Sequence, residues 1–371
     1  DRKMDMYQVA KVRVPYGAST LQVWAIFDRE TKQISLEPTT FLVSRIIYNG
    51  LQNETARGNA YLLTSFLNTL KKNSKRWDKI TDSEMRKYLE GVLFKHRNLT
   101  AQSIHNHISV LKTFYSWAHA RHLCENADVF SFNMSNEILE ELELANADKN
   151  SKTPNNLSTK WISKPEFDNL LNHNPARNLF EIQRNEIILL LGYLCGCRAQ
   201  EVTSKHNFKI KDINLAIKRA DFKNSLNEGF ELKIIGKGSS GGKVRTIWVP
   251  DELSQKIQLF LKNPKLSSSK HLICSKQGNP LNKQFASTLF SNFKRNLVIN
   301  GDSTEKWRNS NRSFHALRHS YATNFVIDKG EDEAAKELLR TRMGHENFET
   351  TRIYITFAAI IQQKTKMQET D

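Results

Sequence analysis

The residues best equipped for chemistry lie between His315 and Tyr354. His315 and Arg318 stand three residues apart, so an imidazole and a guanidinium share one face of a helix that spans them. His345 follows, and Tyr354 lies nine residues beyond it. The set has no acidic pair to hold a metal, and it suits the handling of a phosphodiester by side chains alone. Metal-free cleavage needs a nucleophile, cations for the non-bridging oxygens, an acid for the leaving oxygen and a group to manage the nucleophile's proton. Arginine fits the second task because its fork donates two parallel hydrogen bonds to phosphate and keeps its charge. Arg198 and Arg318 supply two such forks from distant positions. Lys237 fits the third, since a lysine pKa falls among other cations. The Tyr354 phenol becomes a competent nucleophile once cations stabilise its phenolate. With a net charge of +16 over 371 residues, the phosphodiester is most simply that of DNA.

Several elements must position these groups. Residues 187–194 read as a buried helix ending at Gly196-Cys197-Arg198. Residues 230–235 and 244–249 read as strands flanking a glycine-rich tip, and hence as a hairpin that carries Lys237. Residues 208–215 read as a further short strand. Helices are expected at 251–261, 283–298, 316–328, 331–339 and 350–358. Upstream, residues 7–36 alternate, with Ala10, Val12 and Val14 on one face of a first strand. Leu21, Val23, Ala25 and Phe27 follow in a second strand, and Lys11 and Arg13 fall on the polar face. From 38 to 132 the period is helical, with Thr55 as one cap, a capping box at Thr81–Glu84 and an amphipathic stripe from Ile104 to Ala118. An Asn-, Ser-, Thr- and Lys-rich stretch then reads as a linker. The expected organisation is a β-rich extension (1–37), a helical domain (38–132), a linker (133–160), a mixed catalytic domain (161–358) and a tail (359–371).

Composition narrows the class further. No apolar run approaches the ~20 residues that span a bilayer, and the cations are dispersed, so no membrane partner is expected. The scattered cysteines, Cys124, Cys195, Cys197 and Cys274, read as reduced core thiols of a cytoplasmic, nucleoid-associated protein. Cys197 beside Arg198 could instead be a thiol of lowered pKa.

Five blocks together carry a resemblance. Gly196-Cys197-Arg198-Ala199-Gln200-Glu201, Gly236-Lys237-Gly238, His315-x-x-Arg318, Gly344-His345 and Tyr354 follow, in order, the signature of the tyrosine recombinases, or phage-integrase-like enzymes. The resemblance covers residues 161–358, and more weakly 38–132, which look like the family's helical core-binding domain. It implies a mainly α fold with a small β-sheet, closing on DNA as a C-shaped clamp. It further implies that Arg198 and Arg318 clamp the scissile phosphate, that Glu201 orients Arg198 or its neighbours, and that Lys237 protonates the leaving 5′-oxygen. His315 would act in acid–base work on Tyr354, and His345 would donate a hydrogen bond to the phosphate. Tyr354 would form a 3′-phosphotyrosyl link that a second strand's 5′-hydroxyl reverses, so no nucleotide or metal cofactor is required. Strand exchange through a Holliday junction implies recombination sites as partners, a homo-tetramer with a dimer on each of two sites, and accessory directionality factors. Cys197 and Gln200 stand where the family usually has an aliphatic residue and a serine. The long hairpin tip leaves Lys233 and Lys243 as alternatives to Lys237.

Singly, these residues have plainer readings. Arg198 could cap the preceding helix, and His315 with His319 could form a zinc pair, though no third ligand is in sight; His319 reads as packed or hydrogen-bonded. Phe357, Ile360 and Ile361 form an apolar patch that could dock on its own domain or on a neighbouring protomer. Other classes compatible with the chain are a type IB topoisomerase, a telomere resolvase and a catalytically silent DNA-binding regulator.

Overall fold

The structure is a computed structural model that describes residues 6–124, 130–140, 154–223, 226–236, 242–301, 307–308, 312–330, 332–345 and 349–368. It is mainly helical, with two small antiparallel two-stranded sheets. The chain divides into two units, Asp1–Lys149 and Asn150–Asp371.

In the first unit, β1 (Tyr7–Tyr16) and β2 (Ser19–Asp28) form a hairpin in the register Val9↔Ile26 and Lys11↔Trp24. It packs on α1 (Leu36–Asn49) and α2 (Asn53–Lys72). Tyr7, Val9, Trp24 and Ile26 join the core around Phe41, Leu63 and Phe66. Further along β1 Lys11 and Arg13 are exposed while Ala10, Val12 and Val14 are half-buried, as the alternation expects, so the strand contributes from both faces. Both faces of β2 are covered, with Val23, Ala25 and Ile26 all buried, so alternation alone could not choose between them. Asn68 of α2 fastens the strand by accepting from the Tyr7 amide at 2.7 Å and donating to its carbonyl at 3.1 Å. Lys71 pairs with Asp28. The hairpin is thus part of the helical unit's core. Ile26→Ala is accordingly expected to cost about 2–5 kcal/mol in denaturant unfolding; a cost near zero would mean that the hairpin is an appendage.

The remaining helices of this unit are α3 (Asp82–Arg86), continued by π-helical turns over Lys87–His96, and α4 (Ala101–His119). Thr81 and Glu84 form the expected capping box, whereas α2 starts at Asn53, which leaves Thr55 inside its first turn. The α4 stripe of Ile104, Ile108, Leu111, Phe114, Tyr115 and Ala118 is buried throughout.

The second unit opens with α5 (Pro154–Lys160), inside the stretch expected to be linker, and α6 (Lys164–Leu171). Then come α7 (Leu179–Cys195), the single turn α8 (Ala199–Val202) and α9 (Ile210–Phe222). The hairpin of β3 (Gly229–Ile235) and β4 (Val244–Pro250) follows, with α10 (Asp251–Leu261) and α11 (Phe285–Ile299). The unit closes with α12 (Phe314–Lys329), α13 (Glu333–Met343) and α14 (Glu349–Gln368). The strand expected at 208–215 is therefore the start of a helix. Ile210, Ile213, Ala216, Ile217 and Ala220 recur at helical spacing and pack on the core, a period visible only in the longer window. The helix α7 is apolar on nearly every side because it runs through the middle of this unit.

Candidate active site

The site is assembled where two helices end. The buried run of α7 stops at Gly196, whose backbone is left-handed at φ 63. A Cβ there would lie 2.5 Å from the Tyr321 ring, so no side chain fits. The chain turns directly into α8, with Arg198 as its N-cap. Glu201, at 4% exposure, accepts from the Arg198 amide and from its Nη1, both at 2.8 Å. The same carboxylate accepts from Nη2 of Arg245 on β4 at 2.7 Å. Arg198 keeps 31% of its side chain exposed while Arg245 keeps 5%. One guanidinium is thus open to a ligand, and the other is internal. Burial works against ionisation of Glu201, but the charges and hydrogen bonds of Arg245 and Arg198 outweigh it and hold its pKa below the usual value.

The second helix end is that of α13, which stops at Gly344, also left-handed at φ 63, with Arg245 Cδ 2.9 Å from where a Cβ would stand. Arg318, on the buried helix α12, donates to the carbonyls of Gly196 and Met343. Arg245 donates to those of Gly196 and Arg342. Carbonyls at a helix C-terminus lack intrahelical partners and carry partial negative charge, which suits cations. Arg318 is 1% exposed; burial and the nearby Arg198 and Arg245 charges lower its pKa. Three guanidiniums therefore surround one point, and among the described residues Glu201 is the carboxylate that pairs with them.

The third contribution comes from α12, α14 and the turn between α13 and α14. Tyr354, on α14, is 3% exposed, and burial raises its pKa to about 12 against the pull of Arg318 and Arg198. Its hydroxyl lies 2.8 Å from Nδ1 of His319. His315 stands one turn back on α12, edge-on to His319 with ring centroids 4.5 Å apart. His345 lies nearly parallel to the Tyr354 ring, at 11° and 6.3 Å, and its Nδ1 is 3.0 Å from the Thr351 hydroxyl. Burial, then the charges of Arg318 and Arg198, lower His345 to about 4. His315 keeps an open surface, but desolvation of its partly enclosed ring and the charges of Arg318, Arg198 and Lys160 also lower it to about 4. The histidines are neutral near pH 7, and the positive charge of the site resides on the arginines.

The structure thus brings Arg198, Glu201, His315, Arg318, His345 and Tyr354 together. Lys237 lies outside the described residues. The base of its hairpin is fixed nearby: Asn207 bonds both the amide and the carbonyl of Ile235, and the Gly236 amide donates to the Lys243 carbonyl. A Cβ on Gly236 would stand 3.0 Å from Glu201 Oε1, so the chain enters the tip beside the Arg198–Glu201 pair. Lys233 instead lines a cleft between the outer face of the hairpin and α9, with Asp212, Arg219 and Trp248.

Arg245 and His319 are site residues that the sequence motifs do not mark. Arg245 had a signal: in β4 it shares the buried parity of Ile247 and Val249, where a lone cation needs a partner. His319 had none beyond its place one turn after His315. The four cysteines are buried, and burial pushes the Cys197 thiol up to about 12. The Phe357 patch packs on its own unit, with Phe357 edge-on to Trp161 and Ile361 against the same cluster. Among the described residues no three His, Cys, Asp or Glu side chains converge as metal ligands would, and no helix is long and apolar enough to cross a membrane.

Residues 160–359 match the phage integrase family, and residues 44–122 match the phage integrase N-terminal SAM-like domain. Tyrosine recombinase XerA of Pyrococcus horikoshii is 31% identical over 206 residues, which are 56% of this chain and 59% of the relative. Tyrosine recombinase XerD of Halalkalibacterium halodurans is 27% identical over 200 residues, 53% of this chain and 56% of the relative. The chain thus spans rather more than half the length of these curated relatives. In fold it is similar to the XerH site-specific recombinase solved in a post-cleavage complex with palindromic difH substrate (TM-score 0.59, 18% identity, 85% of this chain and 80% of that one). It is also similar to a lambda integrase dimer bound to a COC′ core site (TM-score 0.53, 14% identity, 85% and 94%).

Proposed function

The chain belongs to the phage integrase family, and from that premise we propose that it is a site-specific DNA recombinase of the integrase or transposase type. The observation that carries this reading is the meeting of Tyr354 with Arg198, Arg318 and His345 at the ends of α7 and α13, from segments far apart in the chain. Arg198 and Arg318 hold the non-bridging oxygens of the scissile phosphate, and the fork of Arg318 keeps N–H donors beyond the two that bond carbonyls. His345 donates a further hydrogen bond, His315 supports acid–base work, and Glu201 fixes Arg198 in place. The Tyr354 oxygen attacks phosphorus, the bond to the 5′-oxygen breaks, and Lys237 protonates that oxygen. The product is a 3′-phosphotyrosyl link and a free 5′-hydroxyl. Attack by the 5′-hydroxyl of a second strand reverses the step in a new pairing and, repeated, passes through a Holliday junction. Because each broken phosphoester is replaced by another, the cycle needs no nucleotide.

The partners in this reading are two double-stranded recombination sites, each carrying a dimer, joined in a tetramer, with accessory factors setting direction. The net charge of +16 favours the duplex through counterion release. The test begins with covalent protein–DNA junctions captured on genomic DNA, which identify the site. A plasmid carrying two copies is then expected to give deletion or inversion products dependent on both. Relaxation of supercoiled plasmid without exchange would instead indicate a topoisomerase, hairpin ends would indicate a telomere resolvase, and binding without cleavage would indicate a silent regulator.

A further inference from the structure

Two imidazoles stand one turn apart on α12, and they relate to the tyrosine differently. His319 reaches the phenol oxygen directly, whereas His315 meets the ring of His319 edge-on. We propose that His319 is the proton acceptor for Tyr354, taking the phenolic proton on Nδ1 as the oxygen attacks phosphorus. The inference rests on Tyr354 being the nucleophile. A general base must lie within hydrogen-bond reach of the proton it removes, and 2.8 Å meets that condition. Both partners are buried, at 7% and 3% exposure, so the bond is shielded from water.

The groups facing His319 are His315 and Arg318 on its own helix, Lys160 at the end of α5, His345 after α13 and Tyr354 on α14. The charged members of this set are cations. Burial, and then these neighbours, lower His319 to about 3, so the imidazole is neutral, and in the tautomer with its proton on Nε2 the Nδ1 accepts while the phenol donates. Proton loss from Tyr354 to bulk water would leave a buried anion. Transfer to His319 leaves a phenolate–imidazolium pair of no net charge, and a phosphodiester anion beside it favours the imidazolium further. In the forward step the O–H bond of Tyr354 breaks, the O–P bond forms, and the P–O5′ bond breaks with a proton supplied by Lys237. In the reverse step the incoming 5′-hydroxyl returns a proton to the lysine, and the imidazolium returns its proton to the departing phenolate. No acid or base is consumed over the cycle.

The test is single-turnover cleavage of a nicked suicide duplex carrying the recombination site, followed across pH. His319→Asn keeps a polar side chain of similar reach but cannot hold a proton, and His319→Ala removes the group. Both variants are expected to bind DNA like the parent and to cleave about 10²- to 10⁴-fold more slowly near neutrality. The defect should shrink as pH rises and hydroxide replaces the missing base. A 5′-bridging phosphorothiolate, whose leaving sulfur needs no acid, should restore a Lys237→Ala variant and leave His319→Asn slow. Parental rates in His319→Asn, or a defect of constant size across pH, would overturn the proposal. An adduct formed by Tyr354→Phe would instead remove the nucleophile assignment itself, a separate failure. Should the alanine variant fold poorly, the pH dependence of the asparagine variant decides.

Discussion

Replacing Tyr354 by phenylalanine is expected to abolish the covalent adduct with DNA while leaving DNA affinity unchanged. The ring is held by apolar neighbours such as Phe357 and Ala358 and lies parallel to His345, so phenylalanine occupies the same volume. What disappears is the oxygen that bonds to phosphorus, and with it every later step. The loss should reach the uncatalysed background. Stability should also fall, by about 1–3 kcal/mol, because Nδ1 of His319 is left buried without its donor. Gel-shift titration, adduct formation and denaturant unfolding on one preparation separate these three effects. Retained cleavage would show that another group is the nucleophile.

Glu201→Gln is expected to damage both the fold and the site. The carboxylate ties Arg198 of α8 to Arg245 of β4 from a position that is 4% exposed. Neutralising it strands the Arg245 charge, which is 5% exposed. Removing one partner of a buried ion pair costs about 3–5 kcal/mol, and a shift of that size should be plain in denaturant unfolding. Cleavage should fall as well, because Arg198 loses the contact that aims it. The pH dependence has a definite sign. The Glu201 pKa is held below its ordinary value of 4.5, so its stabilising contribution is present above that value and fades as pH falls through the lower folded one. The glutamine variant should lack this component of acid destabilisation. Parental stability in Glu201→Gln would mean that the pair is dispensable.

The sequence was most legible where a pattern is local. The α4 stripe and the capping box at Thr81 depend on residues a few positions apart, and the structure has both. Asp251–Leu261 is likewise a helix at its expected bounds. Features set by distant packing were harder to see. The choice of face on the β1–β2 hairpin depends on what α1 and α2 cover, and β2 is apolar on both sides. Residues 208–215 look strand-like until the window reaches Ala220, where the helical period shows. In the site, motif spacing marks the residues expected at the phosphate, but not those that hold them. The Glu201–Arg245 pair joins positions 44 apart, and the His319–Tyr354 bond joins positions 35 apart. Both exist only because α8 meets β4 and α12 meets α14 where these elements converge.

That convergence is tested most directly by identifying the atom to which DNA becomes attached. The protein is incubated with a nicked suicide duplex carrying its site, the adduct is digested with protease and nuclease, and the nucleotide-bearing peptide is sequenced by mass spectrometry. One modified peptide is expected, with Tyr354 joined to the 3′-phosphate and a free 5′-hydroxyl on the released strand. Attachment at another residue, attachment through a 5′-phosphate, or cleavage without a covalent intermediate would contradict this expectation.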